Sequence, residues 1–337
     1  MENSRFIKSV FLLGALLIAT PFFVFSYDDD TTHPALTQEI IRFFNIRSPE
    51  KDISDTDAEY VIQGSIDEDA DGRWTRHFYD PARTRGLSYL GPQWQSAKAW
   101  AGDTVAQATF KIRDIPSRTL YGKVKDIFTG ETDYSWERGV YEYAWGDKQR
   151  GLTAVGHTLH LLEDMSVPDH TRNDPHPGVG KRAQGFISDR VFAFLEHHDI
   201  TNASPYESFA VFPRGSLTVA DQIKEQSPIV FQSISEYFES MAKYSNGNFF
   251  SRDTIFSKEY VEPSISKKSV ERLSDGNLYE FGYKGEHKLV LLGQRKLGST
   301  EGDLTINDID KLILTDYWSR LSKQAVLHGA GVVKLFF

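Results

Sequence analysis

Apolar positions recur at helical spacing through most of this chain, and a single stretch reads as strand. The pattern predicts helices over about Pro34–Phe44, Asp57–Ile66, Ser96–Ala101, Tyr134–Trp145, Lys148–Asp164, 182–198, Ser227–Tyr244 and Ile306–Phe337. Pro34 suits a first helical turn, where its missing N–H has no intrahelical partner to lose. The 182–198 segment is amphipathic through Phe186, Val191, Phe192, Phe194 and Leu195, and the last helix carries Leu312, Ile313, Leu321, Ala325, Val326, Ala330 and Val333. Between Leu278 and Lys296 the character changes. Leu-Tyr-Glu-Phe-Gly-Tyr, then Lys-Gly-Glu, then His-Lys-Leu-Val-Leu-Leu reads as a β-hairpin. With no internal repeat and no low-complexity linker, the reading is one mainly α domain over 27–337, carrying a small β-hairpin insertion at about 260–310.

The helix expected over Lys148–Asp164 bears the densest chemistry. Leu159, Leu161, Leu162 and Met165 supply apolar surface, while His160 and Asp164, four residues apart, share one face. His157 lies one turn earlier on the same side. Pro168 is expected to end the regular helix, with His170 just beyond it. The product, His160-x3-Asp164-x5-His170, aims two imidazoles and a carboxylate at one place, a set that suits zinc. A His-x3-Asp pair by itself is more often a satisfied hydrogen bond near a helix end. The other histidines shift that balance, because they stand in polar and aromatic phrases rather than on apolar stripes: Thr32-His33-Pro34 and Trp74-Thr-Arg-His77-Phe-Tyr-Asp80. Gly64-Ser-Ile-Asp67-Glu68-Asp69 ends a helix in carboxylates, which serve equally as a solvated turn or as a source of ligands. After His170, Thr171-Arg-Asn-Asp174-Pro-His176-Pro reads as a loop.

Composition narrows the chemistry. With 337 residues, 40% of them apolar and 13% aromatic, the chain can build a sizeable core. A net charge of −9 leaves no general nucleic-acid footprint. The absence of cysteine excludes disulfides and thiolate ligands, so any zinc must sit on His, Asp and Glu, as in catalytic rather than structural sites. Residues 1–26 read as an export signal. Arg5 and Lys8 precede the apolar run Val10–Ala19, Thr20-Pro21 interrupts it, and Val24 and Ser26 occupy the −3 and −1 positions for cleavage after Ser26. The alternative is an uncleaved membrane anchor, although the uninterrupted run is shorter than the ~20 residues of a span. On either reading the body is exported, secreted or periplasmic in one case and membrane-anchored in the other.

Four phrases occur in order: Thr32-His33-Pro34-x-Leu36-Thr37, Gly64-x4-Asp69, His77-Phe-Tyr-Asp-Pro81 and His160-x3-Asp164-x5-His170. Together they resemble the zinc-dependent phospholipase C and single-strand-specific nuclease superfamily. Tyr134-Ser-Trp136, His170-Thr-Arg-Asn-Asp174, Asn248-Phe-Phe-Ser-Arg-Asp-Thr254 and Gly329-Ala-Gly-Val-Val333 resemble a bacterial branch of it. The likeness covers about residues 31–255 and the last helix.

The resemblance implies a multi-helical fold holding up to three zinc ions in one cleft. A first ion would take Asp69, His77, His160 and Asp164. A second would take His33, Asp164 as a bridge, and the amino group and carbonyl of the mature N-terminal residue, here Tyr27 where the family usually has tryptophan. A third would begin at His170. The family's following histidine and acid are not found at the expected spacing, which leaves His176 and Glu196 as the nearest substitutes. The implied activity is hydrolysis of a phosphodiester by zinc-activated water, with Asp69 as ligand and base and the third ion easing departure of the alkoxide. Arg172 reads either as a phosphate contact or as an ordinary surface arginine. A phospholipid met at a membrane surface, or another phosphodiester, is the first substrate reading, without nucleic acid. A single-strand nuclease on the same scaffold and a non-catalytic metal-binding interaction protein are the alternatives.

Overall fold

The computed structural model describes residues 31–88, 93–110, 132–174, 204–251, 254, 259–261, 263–272, 278–284, 287–294 and 311–337. All belong to one compact unit comprising 25–175 and 204–337. The segment 1–26, the helix expected over 182–198, and Tyr27, His176 and Glu196 lie outside the described residues.

The unit is mainly helical with a small antiparallel sheet. In chain order the described elements begin with α1 (Thr32–Arg47), α2 (Asp55–Asp67), a 3-10 turn (Ala70–Arg76), α3 (Ala97–Ala101), α4 (Thr104–Ala108), α5 (Trp136–Trp145) and α6 (Lys148–Asp164). They continue with α7 (Pro168–Thr171), α8 (Pro205–Phe209), α9 (Val219–Gln222), α10 (Ile234–Asn248), β1 (Lys267–Arg272), β2 (Leu278–Lys284), β3 (His287–Gln294) and α11 (Lys311–Phe336). The hairpin expected over Leu278–Lys296 is β2 and β3, and β1 adds a third strand beside β2, in the order β1-β2-β3. Phe281 of β2 turns into the main core.

Helix starts are written in short polar side chains. Ser54, Ser96, Ser135 and Asp147 each accept a backbone N–H from the first turn of α2, α3, α5 and α6. Each such cap is worth about 1 kcal/mol. Several boundaries shift by a few residues from the sequence reading, and two of the shifts have a clear cause. The helix expected from Ser227 begins instead at Ile234, because Ser233 and Glu236 form a reciprocal capping box that stops the chain there. Pro168 does not end α6. That helix closes at Asp164, and Pro168 opens α7 from the first helical position, where a proline costs no hydrogen bond.

The core joins Leu36, Ile40, Phe43 and Phe44 of α1 to Val326, Ala330 and Val333 of α11, and to Leu152, Val155, Leu159 and Leu162 of α6. Each fully buried side chain of this size contributes roughly 1.5–3 kcal/mol. The crossing of α2 and α6 has a special closeness. A Cβ on Gly64 would lie 2.0 Å from the Thr153 carbonyl oxygen, and one on Gly156 would lie 1.9 Å from that of Val61. Only glycine permits this backbone contact. It brings the last turn of α2, and Asp69 after it, against the histidine face of α6. No helix among the described residues is long and apolar enough to cross a membrane.

Candidate metal centre

Six of the side chains singled out in the sequence meet at one buried place. His33 comes from the first turn of α1, Asp69 from the start of the 3-10 turn after α2, His77 from the end of that turn, His160 and Asp164 from α6, and His170 from α7. Asp164 is the hub, and its two oxygens face different partners. Oδ1 lies 3.6 Å from His33 Nε2 and 3.3 Å from His170 Nδ1. Oδ2 lies 3.1 Å from His77 Nδ1 and 3.6 Å from His160 Nε2. Asp69 Oδ1 approaches the same group, 3.3 Å from His77 Nδ1 and 3.7 Å from His160 Nε2. The rings of His33 and His160 stack 3.6 Å apart at 16°. Asp69 is 12% exposed, whereas the other five are sealed from solvent.

The histidines are held from behind. His160 Nδ1 donates to the Ser65 carbonyl at 2.5 Å, a bond the glycine-mediated crossing of α2 and α6 makes possible. His170 Nδ1 approaches the His77 carbonyl at 3.1 Å, and the Tyr79 N–H donates back to the His170 carbonyl at 3.1 Å. His33 Nδ1 donates to Glu163 Oε2 at 2.7 Å. Nε2 of His33 and His160 is therefore the nitrogen presented to the group, the arrangement by which outer partners commonly fix imidazole ligands.

The buried acids and imidazoles shift one another in opposite directions. Burial alone would raise the Asp164 carboxyl, but the imidazoles of His77, His170 and His160 hold it well below the usual carboxylate range. Burial works against protonation of His33 and His77, yet Asp164 and its acidic neighbours outweigh it and raise both, His33 to about 10. His160 goes the other way: burial, with the charges of His33 and His77, holds it well below its ordinary value.

Whether these residues fit a metal can be judged from their atoms. Both ring nitrogens of His77 and Nε2 of His160 are buried without an aligned hydrogen bond, although carboxylate oxygens stand close by. An unmade buried hydrogen bond costs about 1–3 kcal/mol. Donors that converge on a common point instead of pairing with each other are arranged as ligands are. Two sets have mutually close donor atoms, His33 with Asp69 and His160, and His77 with His160 and Asp164, all within 4.8 Å of one another. These buried His and Asp groups could hold a metal ion.

Two further residues named in the sequence pair outside the group. His157 does not face the group. Its Nδ1 meets Glu68 Oε2 at 2.5 Å and its ring stacks 4.1 Å from Tyr134. At about 100° per residue, its three-residue separation from His160 leaves its ring about 60° to one side, where it meets α2. Arg172 is 1% exposed; it donates to the Asn246 carbonyl and lies over the Tyr260 ring, so it braces the α7 segment from inside. Asn246 returns a hydrogen bond to the Thr171 carbonyl at 2.7 Å.

Three carboxylates were missed. Glu207, in α8, lies 3.2 Å from His170 Nε2. Its helix is capped by Ser204, whose hydroxyl donates to Asp169 at 2.7 Å, so the residue before His170 sets the place of the acid facing it. Glu163 and Glu68 each precede one of the two central aspartates and are fully buried. A repeated Glu-Asp pair was the available signal.

Comparison of the chain with family models, with curated proteins and with solved structures finds no match. Fold and site together define a mainly helical protein with a buried His/Asp cluster able to hold metal.

Proposed function

We propose that this chain is an exported zinc-dependent phosphodiester hydrolase of the phospholipase C type. The observation that carries the reading is Asp164, whose two oxygens face different histidine pairs as a carboxylate shared between two ions would. The donor set is imidazole and carboxylate, which suits zinc better than the all-oxygen shells of calcium or magnesium. Zinc, when bound, supplies Lewis acidity that acidifies water and neutralises charge on a phosphodiester.

The chain's own residues do the rest. His77, His160, Asp69 and Asp164 would hold one ion, and His33 with Asp164 would hold a second. His170 with Glu207 supplies the donor pair for a third, in place of the His176 and Glu196 considered from the sequence. Asp69, more open to solvent than its five companions, accepts the proton of the attacking water at its carboxylate. The sealed walls around Asp164 and His160 keep the field of these charges unscreened.

The test is metal content of never-chelated protein together with turnover of bis(p-nitrophenyl) phosphate, phosphatidylcholine micelles and single-stranded DNA. At least two zinc ions per chain with the phospholipid preferred is the expected result. Less than one ion per chain rules the reading out. Metal with preference for DNA moves the substrate to polynucleotide, and metal without turnover leaves a binding protein.

A further inference from the structure

The histidines of the cluster are not oriented by the same kind of group. His160 leans on a backbone carbonyl, that of Ser65, and His170 on the carbonyl of His77. His33 leans on a carboxylate, Glu163. Glu163 is fully buried, and its second oxygen accepts the Thr37 hydroxyl at 2.8 Å. Thr37 stands one turn after His33 on α1. One carboxylate of α6 therefore grips two successive turns of α1, at the place where α1 delivers its contribution to the cluster. Glu163 is also the immediate neighbour of Asp164, so the grip and the hub move as one piece of helix.

We infer that Glu163 is a positioning residue that fixes which nitrogen of His33 is presented to the cluster, and so sets metal affinity at the His33 position alone. The inference rests on the metal-centre reading above. The physical reason is direct. An imidazole that donates Nδ1–H to a fixed acceptor must offer its Nε2 lone pair on the opposite side of the ring. A carboxylate acceptor also makes that lone pair more basic than a carbonyl would. Without Glu163 the ring can turn or change tautomer, and the entropy of fixing it returns as a cost of binding. His160 and His170 have other anchors, so the effect should not spread to them.

Glu163→Gln is the variant of choice. It preserves volume and can still accept from His33 through its amide oxygen, but it loses the charge and can flip. Zinc is titrated into metal-free wild type, Glu163→Gln and Thr37→Val against a chromogenic chelator, and histidine ring nitrogens of the zinc-loaded chains are followed by 15N NMR. Glu163→Gln is expected to keep every zinc position but to bind 10–100-fold more weakly at one of them, the range typical of partners behind a ligand. In wild type the His33 ring should carry its proton on Nδ1 and zinc on Nε2; in Glu163→Gln that signature should broaden or divide. Thr37→Val should give a smaller weakening at the same position. Unchanged affinity at all positions in Glu163→Gln, with wild type fully loaded, overturns the inference and spares the metal centre. Equal loss at every position, or loss of zinc together with helix content, also overturns it. A wild type that takes up no zinc removes both.

Discussion

Two Glu-Asp pairs flank the candidate centre, and they have opposite electrostatic fates. In both, the aspartate faces the cluster and the glutamate beside it is fully buried, reaching the cluster through one histidine. Glu68 receives the Arg73 guanidinium at 2.7 Å, the Trp100 indole N–H at 2.9 Å and His157 at 2.5 Å. Burial alone would raise its carboxyl, but Arg73 and His157 hold it below the usual carboxylate range. Glu163 has Thr37 and His33, whose charge comes and goes with its proton, with Asp164 beside it; burial pushes its carboxyl up to about 7. Burial is the same on both sides. What differs is whether a permanent charge came with it, so Glu68 is a fixed strut and Glu163 a proton-sharing one.

That contrast can be broken most forcefully at Arg73. Arg73→Met leaves Glu68 buried without its cation, and uncompensated buried charges cost about 3–5 kcal/mol. Chemical denaturation of the metal-free variant should show a loss of this size, and a loss below about 1 kcal/mol would mean that Arg73 is not what neutralises Glu68. Next is the hub. Asp164→Asn keeps size but removes the charge that four histidines surround, so zinc occupancy and phosphodiesterase rate should fall by more than about 100-fold, beyond the range for outer partners. Full zinc and full rate in this variant would show that the shared carboxylate lies elsewhere.

His157→Gln tests the Glu68 side from its other donor. The side chain faces Glu68 and Tyr134, so zinc affinity should stay within about threefold, while stability drops by roughly 1–3 kcal/mol for a weakened buried hydrogen bond. Loss of zinc with stability intact would place His157 among the ligands.

The smallest effect is a dependence on pH. His33 is raised to about 10 and Glu163 to about 7. Each group contributes stability that is complete below its unfolded pKa and lost as pH rises through the folded value. Asp164 and Glu68 act oppositely, contributing above their unfolded values and losing it in acid. In the metal-free chain Glu163 and His33 should lower the melting temperature as pH rises, Glu163 from about pH 4.5 to 7 and His33 from about 6.5 to 10, while His160, held low, acts in the opposite direction below about 6.5. Zinc displaces the proton of His33, so its uptake should release protons and strengthen with pH, visible as buffer-dependent binding heats. In Glu163→Gln the alkaline decline should flatten.

Much of this was legible in the chain itself. Helix α6 runs over Lys148–Asp164, the bounds its apolar period indicates, because periodicity and caps are local properties. The four phrases containing His33, Asp69, His77 and His160 to His170 drew attention to the six side chains that meet, since polar and aromatic runs around histidine are poorly explained as surface. The fine boundaries at Ser233 and Pro168 were less clear, because a capping box and a helix-opening proline resemble their neighbours until hydrogen bonds are assigned.

The sequence by itself determined the mainly helical class and the residue types that could ligate a metal, through spacing, composition and the lack of cysteine. Only the tertiary structure decided what each acid does. A glutamate in a run such as Asp67-Glu68-Asp69 has the same local pattern whether water or an arginine answers it. Glu207 stands opposite His170 only because Asp169 and Ser204 bring α8 to it. His157 shares a helix face with His160 by spacing, yet α2 crosses at Gly64 and Gly156 so closely that it captures the ring for Glu68. Burial and pairing depend on which distant segment arrives, and that is a property of packing, not of neighbouring residues.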